Sequence, residues 1–188
     1  MIRHLKPKRI IEIGSGFSSA VMLDTNELFF DGCIECTFIE PHPDRLLSVL
    51  KNADRDRHSI IATRLQDVDV DLFKRLSGDD ILFVDSSHVA KVDSDVNRII
   101  GEILPILEKR VSVHFHDIFY PFEYPKEWIY EGRAWNEAYM LKAFLQYNNA
   151  FQIQFFNSFL TYFRPDLFMS HMPLCLKNPG GSIWLKKI

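Results

Sequence analysis

One stretch near the amino end constrains the fold of this chain more than any other. The strand-like run Ile10-Ile11-Glu12-Ile13 leads directly into Gly14-Ser15-Gly16, and an amphipathic stretch over residues 18–28 follows at once. This is the order of a strand, a glycine turn and a helix. Because glycine has no Cβ, such a turn lets backbone N–H groups and a helix N-terminus approach a ligand closely. The pattern therefore predicts a βα unit that binds a ligand at its first turn.

An acidic residue at the end of the second predicted strand narrows the choice of ligand. Glu40 closes the apolar run 34–40, where a carboxylate can accept hydrogen bonds from both hydroxyls of a ribose. A dinucleotide fingerprint would need a third glycine at position 19, which is Ser19 in this chain. Gly14, Gly16 and Glu40 therefore indicate a nucleoside ligand more firmly than a dinucleotide.

The composition excludes several classes of function. The chain has 188 residues, 47% of them hydrophobic, which predicts a single globular domain with a proper core. A net charge of −3 gives no basic footprint for nucleic acid. No run approaches the roughly 18 apolar residues that span a bilayer, and the amino end does not resemble a signal peptide. The chain has three cysteines, an odd number that does not suggest a disulfide framework, and Cys33 and Cys36 are interpreted as packing residues. Because disulfides are rare in reducing compartments, we expect a cytoplasmic protein.

Apolar periodicity predicts the other elements of the chain. Strands are expected at residues 10–13, 34–40, 58–63, 81–84, 111–115, 151–156 and 182–188. Helices are expected at residues 18–28, 43–50, 69–76, 93–107 and 135–147, with Pro105 ending or kinking the fourth of these near Leu104. Residues 157–181 are expected to be mostly connection. The alternation predicts a doubly wound α/β sheet with an antiparallel finish.

Polar residues collect where the predicted strands end. Asp85 and His88 follow the fourth strand, and His116 and Asp117 follow the fifth. Ligands of open α/β sheets bind outside the carboxyl ends of the strands. We therefore expect these four residues to share one site with the glycine turn and Glu40.

These motifs resemble those of the class I S-adenosylmethionine-dependent methyltransferases. The segment from Glu12 to Gly16 is similar to the family's first motif, whose backbone wraps the methionine part of the cofactor, and Glu40 matches the acid that holds its ribose. The resemblance implies one domain over residues 1–188 with a Rossmann-like methyltransferase fold. That fold is a doubly wound, mostly parallel seven-stranded sheet with an antiparallel last strand. Ser18 stands where the family usually has a third glycine, and residues 107–110 replace a Gly-Gly turn.

The resemblance also implies a set of site residues. S-adenosyl-L-methionine would be bound by eight residues, of which Asp67 lies where the adenine amino group is often contacted: Glu12, Gly14, Ser15, Gly16, Ser18, Glu40, Asp67 and Asp85. His116, Asp117 and His88 would be the catalytic residues. Imidazole titrates near neutral pH and can accept a proton from the methyl acceptor.

The segments after strands four and five are similar to those of the small-molecule and sugar O-methyltransferase branch. Some members of that branch bind a divalent metal, so Asp85 and Asp117 are candidate Mg²⁺ ligands. In the alternative, the two carboxylates receive the ammonium group of the cofactor and a hydroxyl of the substrate. Both interpretations stay open at this stage.

The aromatic stretch 118–135 is expected to form a lid over the substrate, which would be a small molecule. Phe119 and Trp135 flank regular elements and are expected to be buried instead. Asn136 and Glu137 could contact hydroxyl groups of the acceptor, although the first turn of a helix is the favoured interpretation.

Three hypotheses about function remain. The leading one is methyl transfer to a sugar or phenolic hydroxyl. The second is an NAD-dependent oxidoreductase, which Ser19 and the lack of a Tyr-x-x-x-Lys pair oppose. The third is a catalytically inactive nucleoside-binding domain, suggested by the short segment before the first strand. A homodimer is compatible with the same short segment and with the aromatic carboxyl half.

Overall fold

A seven-stranded sheet forms the centre of the protein, in a computed structural model that describes residues 1–188. The spatial order of the strands is β3-β2-β1-β4-β5-β7-β6. Strands β1 to β5 are parallel, and β7 runs antiparallel to both β5 and β6. The predicted fold class is therefore confirmed. The strands are β1 Arg9–Ile13, β2 Glu35–Ile39, β3 Ser59–Ile61, β4 Ile81–Val84, β5 Ser112–His116, β6 Phe151–Phe156 and β7 Ser182–Lys187.

Ten α-helical segments and three short 3₁₀ segments connect or flank the strands. The α-helices are α1 Ile2–Leu5, α2 Phe17–Phe30, α3 Asp44–Val49, α4 Asn52–Arg57, α5 Asp95–Arg98, α6 Leu104–Ile106, α7 Lys126–Tyr130, α8 Glu137–Leu145, α9 Asn157–Phe163 and α10 Pro165–His171. The 3₁₀ segments are Leu65–Asp67, Val70–Arg75 and Pro173–Lys177. No helix combines the length and the apolar run that crossing a lipid bilayer requires.

The predicted helix over residues 93–107 contains a π-helical turn. Ser94 caps α5, its hydroxyl accepting a hydrogen bond from the N–H of Asn97 at 3.2 Å. The segment Ile99–Ile103 is π-helical and joins α5 to α6. Pro105 cannot donate a backbone hydrogen bond, and its ring crowds the carbonyl one turn earlier. A wider turn relieves that crowding, so the expected disturbance near Leu104 takes this form.

Both faces of the sheet carry apolar clusters, which explains why β4 reads as an uninterrupted apolar run. The larger cluster of 26 buried residues includes Leu82 and Val84 and residues of α5, α6 and α8. The smaller cluster of nine buried residues lies on the opposite face, where Ile10 and Ile81 pack with Met22 and Leu23 of α2.

The structure corrects the prediction for two regions. Residues 157–181 were expected to be mostly connection but contain α9 and α10, neither of which has a buried residue. The sequence analysis also missed α4, since the segment NADRDR has no apolar face. Its first turn is closed by a hydrogen bond from the N–H of Lys51 to Asp54, at 2.9 Å. The capping residue Asp54 is therefore the only signal in the sequence that indicates this helix.

Candidate functional site

The glycine turn lies between the ends of β2 and β4. Gly14 has φ +78°, and a Cβ at this position would lie 1.8 Å from the carbonyl oxygen of Asp85. Its N–H donates to the carbonyl of Ile39 at 3.0 Å. Gly16 has extended backbone, and a Cβ there would meet the flexible side chain of Arg45 at 3.1 Å. Gly14 is therefore the position at which the turn requires glycine.

Two buried acceptors without a partner lie at this turn. The hydroxyl of Ser19 donates to one carboxylate oxygen of Glu12, and the N–H of Gly16 donates to the Ser19 hydroxyl at 3.0 Å. The other Glu12 oxygen, Oε1, and the hydroxyl of Ser15 have no hydrogen-bond partner. Burial raises the pKa of Glu12 to about 7, although the hydrogen bond from the Ser19 hydroxyl acts against the rise. Unsatisfied polar atoms at this place fit a polar ligand.

Glu40 lies just beyond β2, where the sequence predicted it. Its two carboxylate oxygens accept hydrogen bonds from the backbone N–H of Ser15, at 3.2 Å, and of His42, at 2.8 Å. Each oxygen has further acceptor capacity, because an ionised carboxylate offers about four lone-pair sites. The side chain is therefore held in place and can still accept hydrogen bonds from a ribose.

Two clefts meet at the carboxyl edge of the sheet, and both are lined by Gly14, Glu40, Asp85 and Ser86. The first cleft has a volume of about 420 Å³ and extends toward the loops at residues 64–66 and 91–95. The second cleft has a volume of about 830 Å³ and extends the other way. Its further lining residues are Ser15, Gly16, Phe17, Ser18, Val21, Arg45, Phe83, His116 and Asn178.

The first cleft corrects one predicted contact. Asp67 was expected to contact an adenine, but its exposed side chain pairs with Arg64, with N–O distances of 3.1 and 3.2 Å, and it lines neither cleft. Gln66 lines the first cleft, and its amide donates to the carbonyl of Asp93 at 2.8 Å. The 3₁₀ turn Leu65–Asp67 directs these neighbouring side chains differently, which the sequence does not reveal.

His88 is the centre of a buried polar cluster. Its Nδ1 lies 2.7 Å from a carboxylate oxygen of Glu137, and its Nε2 lies 3.3 Å from Asp85 and 3.9 Å from Asp117. Its ring packs on Trp135 with a centroid distance of 4.2 Å. Burial of the ring lowers its pKa, but the hydrogen bonds and charges of Asp85 and Glu137 outweigh burial and raise the pKa of His88 to about 9. His88 is therefore a protonated imidazolium at neutral pH.

This arrangement changes the role of one predicted catalytic residue. His88 is buried and lines neither cleft, so a bound molecule does not reach its ring. Its raised pKa also keeps the ring protonated at neutral pH, so it has no free nitrogen to accept a proton. It instead presents positive charge to Asp85 and Asp117. The sequence analysis placed Glu137 in the first turn of a helix but did not predict that it holds the ring of His88, which is 49 residues away in the chain.

His116 and Asp117 lie at the end of β5, where they were predicted. His116 lines the second cleft, and its side chain is 44% exposed, so a bound molecule can reach it. Its Nε2 lies 3.5 Å from Asp117 Oδ1. Asp117 has φ +54°, and His88 has φ +60°. Two residues other than glycine in this left-handed region indicate local backbone strain at the site.

The candidate metal ligands do not fit a cation. Asp85 and Asp117 both approach Nε2 of His88, at 3.3 and 3.9 Å, so both carboxylates lie against that ring. No group of three or more His, Cys, Asp or Glu side chains is arranged to hold a metal ion. Magnesium usually requires oxygen ligands in near-octahedral geometry. The residues at this edge of the sheet therefore do not form a magnesium site by themselves.

The stretch 118–135 is braced by aromatic contacts. Trp128 packs edge-on against Phe119 and Trp135, with centroid distances of 5.3 and 5.2 Å. The guanidinium of Arg133 lies 4.3 Å from the Trp128 ring. Phe119 and Trp135 are half-buried against the larger cluster. These contacts hold the segment against the core and do not test whether it covers a substrate, so its role as a lid stays a prediction.

Asn136 and Glu137 begin α8, which confirms the favoured interpretation of this pair. The Asn136 side chain accepts a hydrogen bond from the N–H of Ala90 at 2.6 Å and donates one to its carbonyl at 3.2 Å. The N–H groups of Asn136 and Glu137 both donate to the carbonyl of His88. The pair therefore fixes the loop after β4 and is not free to contact an acceptor.

Comparison with known proteins agrees with this site. Residues 11–118 match the family described as Methyltransferase domain. An uncharacterized protein from Archaeoglobus fulgidus is 40% identical over 79 residues, which are 40% of this chain and 34% of that protein. The matched part thus spans about a third of that relative.

Two solved structures of CmcI share the fold over the whole of this chain. The apo-structure of CmcI-N160 has a TM-score of 0.57 at 15% identity, with 67% of its own chain covered. The structure described as cmcI-D160 Mg-SAM has a TM-score of 0.55 at 16% identity, with 68% covered. At these identities the likeness concerns the fold alone. The family match extends over more than half of the chain and includes the glycine turn, Glu40 and the ends of β4 and β5, so the chain belongs to the methyltransferase-domain family.

Proposed function

We propose that this protein binds S-adenosyl-L-methionine and transfers its methyl group to a hydroxyl oxygen of a small molecule, either a sugar or a phenol. The observation that carries the proposal is the position of His116. It lines the second cleft, which shares Gly14, Glu40 and Asp85 with the first, so a proton acceptor stands beside a site suited to a nucleoside. The cmcI-D160 Mg-SAM structure, which has the same fold, supports this choice of cofactor.

The residues at the turn fit the cofactor. Glu40 would accept hydrogen bonds from the ribose hydroxyls, and the wall around Gln66 would receive the adenine. Ser15 and Asp85, which line the second cleft, would receive the ammonium group of the methionine part, whereas Glu12 is fully buried, lines neither cleft and would support the turn from behind. When bound, this cofactor supplies a methyl group whose carbon–sulfur bond breaks as the acceptor oxygen bonds to the carbon, leaving S-adenosylhomocysteine.

The remaining chemistry falls to residues of the chain. His116 would accept the proton of the acceptor hydroxyl as the oxygen becomes bonded to carbon. Asp117 would orient the His116 ring and stabilise the imidazolium that forms, since their side chains are 3.5 Å apart. Glu137 and His88 act as positioning residues, because they hold Asp85 and Asp117 without lining either cleft.

Calorimetric titration with S-adenosylhomocysteine, followed by a methyl-transfer assay on sugars and phenols, tests the proposal. We expect micromolar binding that is the same with Mg²⁺ and with EDTA. His116→Ala should retain this binding and lose about 10²- to 10⁴-fold in turnover, the usual share of a general base. Absence of S-adenosylhomocysteine binding would overturn the cofactor assignment. Full turnover by His116→Ala would overturn the role of His116.

A further inference from the structure

An apolar trough lies beside the second cleft and is not used by the proposed chemistry. Its volume is about 480 Å³, and eight of its eleven lining residues are hydrophobic. The floor consists of Ile10, Ile81, Phe83 and Trp184, which lie on one face of the sheet, and α2 forms a wall through Val21 and Met22. This volume is within the range of roughly 300–1,000 Å³ that is typical of small-molecule sites.

The trough is continuous with the second cleft. Ser18, Val21 and Phe83 line both of them. The second cleft itself is mainly polar, with three hydrophobic residues among thirteen. A molecule that extends through both would therefore meet polar groups at one end and an apolar surface at the other.

A row of neighbouring aromatic side chains on one face of the sheet leads from His116 to the floor of the trough. On β5, His114 and His116 point to the same face, and their ring centroids are 6.0 Å apart. The ring of His114 stacks on Phe83 at 4.0 Å and contacts Trp184 at 4.7 Å. The floor of the trough therefore begins next to the proposed proton acceptor.

His114 gives this part of the site an uncharged character. The residue is 5% exposed, and neither ring nitrogen has a hydrogen-bond partner. Burial lowers the pKa of His114 well below its usual value. His114 lines neither the trough nor the second cleft, so this neutral ring acts from beneath: it packs on Phe83 and Trp184 and adds no charge under the floor of the trough.

From this geometry we propose that the methyl acceptor is amphipathic. Its hydroxyl lies at His116, and its alkyl or aryl portion occupies the trough over Phe83 and Trp184. This inference rests on the proposed function and adds the substrate class. A sugar or phenol without an apolar substituent would leave the trough empty and would lose the free energy of burying it.

Two series of probes test the proposal with either type of head group. Binding of 4-alkylphenols, from methyl to hexyl, and of n-alkyl glucosides, from butyl to octyl, is measured by calorimetry on the protein saturated with S-adenosylhomocysteine. Burial of each added methylene should tighten binding by about threefold to fourfold until the trough is filled. Affinity that does not depend on chain length in either series would overturn the proposal.

Two variants on α2 locate the effect. Val21→Trp adds a ring at the junction of trough and cleft, at a position exposed enough to accept it, and should weaken the hexyl and octyl probes at least tenfold. Leu28→Trp is the matched control, because Leu28 is exposed on the same helix and does not line the trough. Equal effects of both variants on the long probes would contradict the assignment.

The control measurements separate this inference from the proposed function. If the wild-type protein does not bind S-adenosylhomocysteine, the proposed function fails. If it binds S-adenosylhomocysteine but does not distinguish probe lengths, only the amphipathic acceptor fails. Sedimentation is measured in parallel. A wild-type dimer that Val21→Trp converts to a monomer would assign the trough to a second copy and overturn the inference.

Discussion

Glu137 Oε2 lies 2.7 Å from Nδ1 of His88, and both side chains are buried. The Glu137 carboxylate also accepts a hydrogen bond from the hydroxyl of Ser86 at 2.8 Å. One buried residue at the start of α8 thus holds the loop that follows β4. Breaking a buried ion pair by removing one charge leaves the other charge uncompensated.

Replacement of Glu137 by glutamine tests this role. Glu137→Gln retains the shape of the side chain but removes its charge, so the pKa of His88 should fall and the free energy of unfolding should decrease by roughly 2–4 kcal/mol. Urea unfolding and NMR titration of His88 measure the two effects. Glu131→Gln, at an exposed ion pair with Arg133, is the control and should change stability by less than about 0.5 kcal/mol. An unchanged pKa of His88 in Glu137→Gln would argue against the pairing.

The pH dependence of stability follows from two raised pKa values. Glu12 and His88 both have folded-state pKa values above their ordinary ones, about 7 against 4.5 and about 9 against 6.5. The folded protein therefore binds these protons more tightly than the unfolded chain, and stability decreases as pH rises through each interval. Urea unfolding should show a fall between pH 7 and 9, which is due to His88. Below about pH 6.5 the buried His114, whose pKa is lowered, acts in the opposite direction, so the contribution of Glu12 is measured as the difference between wild type and a Glu12 variant.

Glu12→Gln separates the contributions of these two groups. Relative to wild type, the variant should lose a contribution that decreases between pH 4.5 and 7, worth on the order of 3 kcal/mol for a shift of this size, and keep the decrease between pH 7 and 9. The same series of unfolding curves provides the comparison. If Glu12→Gln and wild type have the same slope below pH 7, Glu12 does not contribute to it.

Glu40 should be needed for cofactor binding but not for folding. Glu40→Ala removes two acceptor oxygens from both clefts, and loss of hydrogen bonds to a charged group should weaken S-adenosylhomocysteine binding by about 10- to 100-fold. The melting temperature should change little, because the side chain is only half-buried. Glu35→Ala, at the other end of β2 in surface ion pairs with Arg9 and Arg75, serves as the control and should bind normally. Equal binding by Glu40→Ala and wild type would place the ribose elsewhere.

The two glycines of the turn should respond differently to alanine. Gly14→Ala places a Cβ against the Asp85 carbonyl in a left-handed conformation and should severely destabilise the fold. Gly16→Ala has extended backbone and meets only the movable Arg45 side chain, so it should fold normally. Thermal unfolding followed by circular dichroism compares them. Similar melting temperatures would contradict this distinction.

Periodicity and strand ends made much of the architecture predictable. The strands Ile81–Val84 and Phe151–Phe156 have the predicted bounds, because their apolar runs are bounded by polar or turn residues. Glu40, Asp85 and His116 lie at the edge where a parallel sheet collects its strand ends. These features depend on local sequence and on one general rule of topology.

Other parts of the site depend on contacts that local sequence does not encode. His88 was interpreted as a proton acceptor because the sequence does not show its contact with Glu137. Glu137 keeps His88 protonated, and it lies on a helix that meets His88 only in the folded chain. Asp67 and Gln66 are neighbours, and only the 3₁₀ turn decides which of them faces the cleft. The trough is likewise assembled from α1, α2, β1, β4 and β7, which are distant in sequence.

The contact between Gly14 and the Asp85 carbonyl also affects how related sequences should be compared. The glycine is required for β1 and β4 to lie side by side, so a homologue that no longer transfers methyl groups would still need it in order to fold. Its presence is therefore a marker of architecture and says little about activity. Positions 40 and 116 face the clefts without supporting the sheet in this way, so variation there is what would distinguish working enzymes from inactive descendants.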